Sequence, residues 1–350
     1  MLFRDKVKDP VQGVILYEII PPPEESSEAS LGASLESLGE LLDRTPIDGI
    51  NIPEIRNENR NGTNINPYIS KIEPRVYGHL VQKHWGDSHE VIINRGIVYD
   101  PPQVHQQWLL QTWKKFEIRN LVLVGGESSR QRYPGPSLTQ ASAFITQCLN
   151  RGWKQGVRGD LVPTLCRTDY FCGGITIPTR RKPDPALDEP QRLIEKARHG
   201  LDFFTSQVIY EAQSTQQLLR DYDQRCRELG EKPRRIFLSF APVSTAKDIA
   251  FLKWLGVQIP EEMERHILQG WIGTAWRSIK VSQQVLREVL EFVRGEKIEV
   301  PLGLNIEHIM KHNFEVSKEM IACLAEEYHA HVGLAKHRKE VQLWPRSTHS

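Results

Sequence analysis

Hydrophobic positions along the chain follow two alternating periods. Short apolar runs rich in β-branched residues, closed by Pro, Gly or Asn, read as buried strands at 14–20, 48–53, 90–94, 120–124, 171–177, 202–209, 235–240 and 300–306. Between them, apolar residues recur at helical spacing at 31–42, within 68–83, and at 102–115, 138–149, 189–199, 215–229, 244–255, 260–294 and 314–328. Pro102 suits a helix start, and Gly200 and Gly230 suit helix ends. Gly173-Gly174 fits poorly inside a strand. Residues 1–12 read as a polar lead-in. Eight strands alternating with helices predict an α/β fold, a (β/α)8 TIM barrel, as one domain over 1–335 followed by a polar, basic tail at 336–350. The alternative is a doubly wound open sheet. Its G-x-G-x-x-G turn after the first strand is absent here, and Pro21-Pro22-Pro23 stand in its place.

The first strand holds a chemical oddity. Alternation puts Glu18 on the same face as Val14, Leu16 and Ile20, so a carboxylate points where a core should be. Such a group must find a partner, hold a proton or line a cavity. A structural salt bridge and a catalytic acid are both open for it.

Composition narrows the classes. The chain has 350 residues, 45 basic against 44 acidic, for a net charge of +1. That balance gives no electrostatic case for nucleic acid or an acidic membrane surface. No apolar run approaches the ~20 residues that span a bilayer, and the N-terminus lacks a secretory core. Five scattered cysteines without a C-x-x-C pair predict reduced thiols, a cytoplasmic setting and no zinc framework. Glu307, His308, His312, His329 and His331 lack the spacing of a ligand set, so no metal is expected. Trp271 and Trp276 read as packing residues.

In a barrel, chemistry sits at the C-terminal ends of the strands. Those positions are Glu18, Asn51, Glu54, Asn94, Glu127, Thr176, Arg180, Arg181, Gln207, Ser239 and Asn305. Arg180, Arg181 and Lys182 make a basic loop suited to a diphosphate or a folate glutamate tail, or simply to solvent. The Asn-rich stretch 57–66 suits a substrate contact or a turn.

These residues support a family resemblance covering about 14–324. Tyr17-Glu18-Ile19-Ile20-Pro21-Pro22 resembles the Phe-Glu-Phe-Phe-Pro-Pro opening of the methylenetetrahydrofolate reductases, flavin-dependent barrels that reduce a folate-bound methylene to methyl. Leu123-Val124-Gly125-Gly126-Glu127 falls where that family has Leu-Arg-Gly-Asp. Glu195 to Phe203, followed by Thr205-Ser206-Gln207, is similar to its K-x-D-A-G-A-D…I-T-Q run, and Ser239 to Val243 to its P-G-I-x-P-V segment. The resemblance implies Glu18 as catalytic acid, with Glu127 and Gln207 as catalytic positions near flavin and pterin. It implies cofactor contacts at Asn94, Gly125, Gly126, Thr176, Arg180, Arg181 and Lys196, and substrate contacts at Gln207, Phe251 and Asn305. It further implies FAD, with NADH or NADPH as electron donor, a folate substrate, and a homo-oligomer or a companion reductase subunit. The sequence departs from the family at three flavin-serving places: Gly125 replaces Arg, Asn94 replaces His, and residues 175–181 replace its Tyr-Pro-x-x-His-Pro run. The expected function is therefore a methylenetetrahydrofolate reductase-like oxidoreductase. The alternatives are a folate- or corrinoid-linked methyltransferase barrel and a flavin-free partner subunit of a reductase.

Overall fold

A computed structural model of the chain describes residues 1–57, 68–85, 89–126, 132–156, 159–180, 182, 184, 188–270 and 273–343, with side chains to residue 333. Eight parallel strands close into a barrel: β1 (Ile15–Ile19), β2 (Gly49–Pro53), β3 (Glu90–Gly96), β4 (Asn120–Val124), β5 (Phe171–Thr176), β6 (Phe203–Val208), β7 (Arg235–Phe240) and β8 (Leu302–His308). Each pairs with its sequence neighbours, and β1 closes the ring on β8. The predicted (β/α)8 barrel is the observed fold.

α1 (Phe3–Lys8) lies at the bottom of the barrel, and the outside is wrapped by α2 (Glu28–Arg44), α3 (Pro74–Trp85), α4 (Pro102–Phe116), α5 (Leu138–Ala143), α6 (Glu189–Arg198), α7 (Gln213–Leu229), α8 (Ala246–Trp254), α9 (Glu261–Leu268), α10 (Thr274–Gly295) and α11 (Phe314–Leu343). Outward strand residues pack against their apolar stripes in one continuous layer. The predicted helical region 260–294 is two helices, broken around Gly270 and Gly273, both at positive φ. The last helix runs on to Leu343, beyond its expected end at Tyr328. Trp276 is 60% exposed, correcting its reading as a packing residue, and Trp271 lies outside the described residues. An antiparallel pair, Trp153–Gln155 with Leu161–Pro163, sits between α5 and β5 without a predicted counterpart.

The lower interior is aromatic. Phe171 and Phe203 stack at 5.3 Å, and Phe237 meets Phe203 edge-on at 5.7 Å. Gly173 and Gly303 make room for these rings. A Cβ on Gly173 would lie 2.3 Å from Phe203, and one on Gly303 2.4 Å from Phe237. The glycine that weakens the fifth strand as a pattern is what lets it pack.

The lead-in is not a loose polar segment. It forms α1, which drives Phe3 and Val7 into the bottom of the barrel against those phenylalanines. Phe3 and Val7 stand at helical spacing, but a helix of six residues is too short for that repeat to show against the polar residues around it. Arg235 fixes the plug through carbonyls, with Nε donating to Val7 at 3.1 Å and Nη2 to Asp9 at 2.5 Å. Lys6 pairs with Asp48 at 2.7 Å. With the bottom filled, open space remains at the other end.

Candidate active site

At the C-terminal mouth, β1 runs into Pro21-Pro22-Pro23, which cannot extend the ladder and turns the chain outward. Beside it opens a cavity of about 660 Å³, walled by the segments after β1, β2 and β8 and by α8. Its floor is acidic. Glu18 and Glu307 are Cα partners across the β1–β8 seam, both facing inward by alternation with Leu16 and Asn305. Both line the cavity.

The pair is held by amides and a hydroxyl, with no cation bound to either carboxylate among the described residues. Asn94 Nδ2 donates to Glu18 Oε2 at 2.9 Å. Asn305 Nδ2 donates to Glu307 Oε1 at 3.3 Å and to Ser239 Oγ at 3.0 Å, and Asn305 Oδ1 accepts Asn51 Nδ2 at 3.4 Å. Burial drives the Glu18 carboxyl well above its ordinary range; the neighbouring Glu307 charge adds to this, and the Asn94 amide opposes it. Burial likewise raises Glu307, to about 7, against the Ser239 hydroxyl and the Asn305 amide. Two adjacent carboxylates cannot both ionise cheaply, so a charge on Glu307 favours the protonated form of Glu18. The side-chain oxygens of Asn51 and Asn94 are buried beside this network with no hydrogen-bond donor among the described residues.

The cavity wall is aromatic. Phe251 and Trp254, one turn apart on α8, stack at 5.5 Å, and Phe314 adds a third ring to the lining. Thr245 and Asp248 form a capping box that fixes the start of α8 and hence that wall. Ser244 strengthens the cap, its amide donating to Asp248 Oδ2 at 2.8 Å.

The other predicted positions separate into two groups. Asn94 and Asn305 join the acid network, and Phe251 lines the cavity. Gln207 sits near the end of β6, at the same end of the barrel as Glu18, and its Nε2 donates to the Leu255 carbonyl at 3.4 Å; it does not line the main cavity. Gly125 and Gly126 follow β4, and a Cβ on Gly126 would strike the Tyr133 ring at 2.3 Å. Glu127 and Arg181 lie outside the described residues, as does most of the Asn-rich stretch.

Thr176, Arg180 and Lys196 converge on a group of the chain's own. Glu189, fully buried at the start of α6, accepts Thr176 Oγ1 at 3.2 Å, the Ile177 amide at 3.3 Å and Lys196 Nζ at 3.4 Å. Arg192 and Arg180 approach its other oxygen at 3.4 and 3.8 Å. Lys196 also donates to the Ile175 carbonyl at 2.7 Å, and burial lowers its ammonium to about 8 against the pull of Glu189. Where the sequence suggests contacts for a flavin phosphate, the polar atoms of Lys196 and Thr176 are spent on Glu189. Among the described residues, these positions do not fit FAD as they stand.

Glu307 and Trp254 line the cavity, yet the sequence reading placed Glu307 only beside the histidines and did not single out Trp254; Glu189, which gathers Thr176, Arg180 and Lys196, was missed as well. Glu307 had a signal, since it lies two residues beyond Asn305 on a strand that runs to His308 instead of Ile306. Trp254 had one too, three residues from Phe251 on a helix. The histidines do not gather: His308 stacks on Tyr17 at 6.1 Å and His312 approaches Asp248 at 3.2 Å. Among the described residues no group of three or more His, Cys, Asp or Glu could hold a metal, and no helix is long and apolar enough to cross a membrane.

No protein-family model and no curated protein matches the sequence. A solved structure of a Clostridium thermocellum protein that binds two copies of 5-methyl-5,6,7,8-tetrahydrofolic acid is 21% identical, with a TM-score of 0.71 over 93% of this chain and 99% of that one. At that identity the likeness shows a shared fold. More distant barrels include oxaloacetate acetylhydrolase with bound oxalate, 9% identical with a TM-score of 0.43 over 86% of this chain and 78% of that one. Another is the FMN-bound oxygenating constituent of 3,6-diketocamphane monooxygenase from Pseudomonas putida, 12% identical at 0.47 over 90% and 97%.

Proposed function

We propose that this barrel binds a reduced folate in the mouth cavity and that Glu18, sharing a proton with Glu307, acts on it as general acid. The observation that carries the reading is the acid pair on the cavity floor. A carboxyl that keeps its proton near neutrality can deliver it to a ligand nitrogen. The paired carboxylates on the cavity floor accept hydrogen bonds, matching N–H donors along the edge of a pterin. The Phe251–Trp254 wall suits an aromatic ring, and the cavity volume falls in the ~300–1,000 Å³ range of small-molecule sites. The folate ligand of the Clostridium thermocellum barrel is consistent with this assignment.

The acid step is simple. When a folate nitrogen of a bridging methylene takes the proton, its C–N bond breaks with the electron pair going to that nitrogen. The carbon is left as an iminium on the other nitrogen, ready for hydride. For a methyl carried on nitrogen, protonation makes that nitrogen a better leaving group. Methylenetetrahydrofolate reduction is the finer reading from the sequence resemblance, with FAD and NADH or NADPH as its implied redox partners. The engagement of Lys196 and Thr176 by Glu189 favours the flavin-free or methyl-transfer alternatives.

Calorimetric titration with 5-methyl- and 5,10-methylenetetrahydrofolate tests the reading. Saturable binding to the wild type and to Glu18→Gln is expected, together with a protein that shows no flavin absorption. Absence of binding for both folates would refute the folate assignment, whereas tightly bound FAD would restore the reductase reading in full.

A further inference from the structure

We infer that Lys71 and Lys311 form an anion subsite at the rim of this cavity, which takes the carboxylates of a glutamylated folate tail. The inference rests on the folate reading and deepens it. Both lysines line the cavity. Neither ammonium has a hydrogen bond or ion pair to any described residue. Other cations at the mouth are engaged: Arg56 pairs with Glu54 at 2.8 Å and lies 4.3 Å over the Tyr99 ring, and Arg95 bonds both Glu54 and Asp100.

The two lysines are also held in place. Residues 70–72 are fastened to the proline segment by Glu24 N to Ser70 O at 3.0 Å, by Ile72 N to Pro22 O at 2.9 Å and by the bridge between Pro23 and Lys71. Lys311 opens a short 3-10 turn after β8, which Asn313 N closes on Met310 O at 2.8 Å. Burial and the Lys311 charge together lower the Lys71 ammonium, so the two cations feel each other. Unpaired like charges sharing a concave rim are relieved by an anion.

The cavity thus has three chemical zones. The Glu18 and Glu307 carboxylates form the floor, Phe251, Trp254 and Phe314 the wall, and two ammonium groups the rim. A pterin, an aminobenzoyl ring and a glutamate with two carboxylates follow the same sequence of chemistries.

The experiment compares 5-methyltetrahydropteroate, which has no glutamate, with the mono- and triglutamate forms of 5-methyltetrahydrofolate. Affinities are measured by calorimetry for the wild type, Lys71→Gln/Lys311→Gln and Lys71→Arg/Lys311→Arg. The wild type should prefer the glutamylated ligands roughly tenfold, as expected for partly exposed charge-assisted contacts. The double Gln variant should erase that preference by weakening only the glutamylated ligands, and the double Arg variant should keep it. Higher salt should narrow it in the wild type. A preference that survives the Gln substitutions, or pteroate weakened as much as the others, overturns the subsite while leaving the folate reading intact. Failure of all three ligands to bind the wild type overturns both.

Discussion

Glu18 and Glu189 are both carboxylates set among apolar packing, one facing into the barrel and the other between β5 and α6, and their surroundings differ. Glu18 meets another carboxylate, an amide and a cavity. Glu189 meets a lysine, two arginines, a hydroxyl and a backbone amide, with no exposure to solvent. On the proposed reading, the first site holds a proton that it can give to a ligand. The second neutralises its charge and locks β5 to α6. The sign of the neighbours, together with how far each is open to the cavity, separates the two carboxylates.

The largest effect that would sharpen this contrast is on chemistry. Glu18→Gln should lower one-carbon turnover on a bound folate by about 10²–10⁴-fold with the ligand still bound, as measured by rate and titration on the same protein. Full activity in that variant would remove Glu18 from the mechanism. Next comes stability on the other side. Glu189→Ala strands Lys196 in the interior and should cost about 3–5 kcal/mol in urea unfolding, with Glu18→Gln near neutral in the same assay. Equal costs at the two sites would dissolve the distinction.

A smaller effect is expected from pH. The folded pKa values of Glu18 and Glu307 are raised, so the folded state holds more protons than the unfolded chain above about pH 4.5. Stability from this pair is present at low pH and falls as pH rises through about 7. Glu307→Gln should flatten that fall in thermal melts taken across this window, by roughly 1 kcal/mol at the upper end. An unchanged profile would mean that the carboxylates do not share a proton. The smallest effect belongs to Gln207→Leu. Its long hydrogen bond to Leu255 should be worth about 0.5–1 kcal/mol in stability, with folate affinity little altered. A large loss of affinity would bring Gln207 into the site as a direct ligand contact.

The order of strands and helices was legible because it rests on local periodicity, and so was the inward direction of Glu18, which needs only the two-residue repeat of a strand. The resemblance around Tyr17 to Pro22 pointed to the same residue. Asn94, Asn305 and Phe251 were legible as positions, though not the network that joins them. What touches what across the barrel depends on register and closure, which bring residues hundreds of positions apart into contact. Only that closure set Glu307 beside Glu18, since β8 had to run two residues further and return to β1. It also turned Thr176, Arg180 and Lys196 toward Glu189, and made a plug of the polar lead-in. Sequence by itself determined the elements and the faces they present; the tertiary structure decided the partners, because a charge takes its meaning from neighbours the chain order does not reveal.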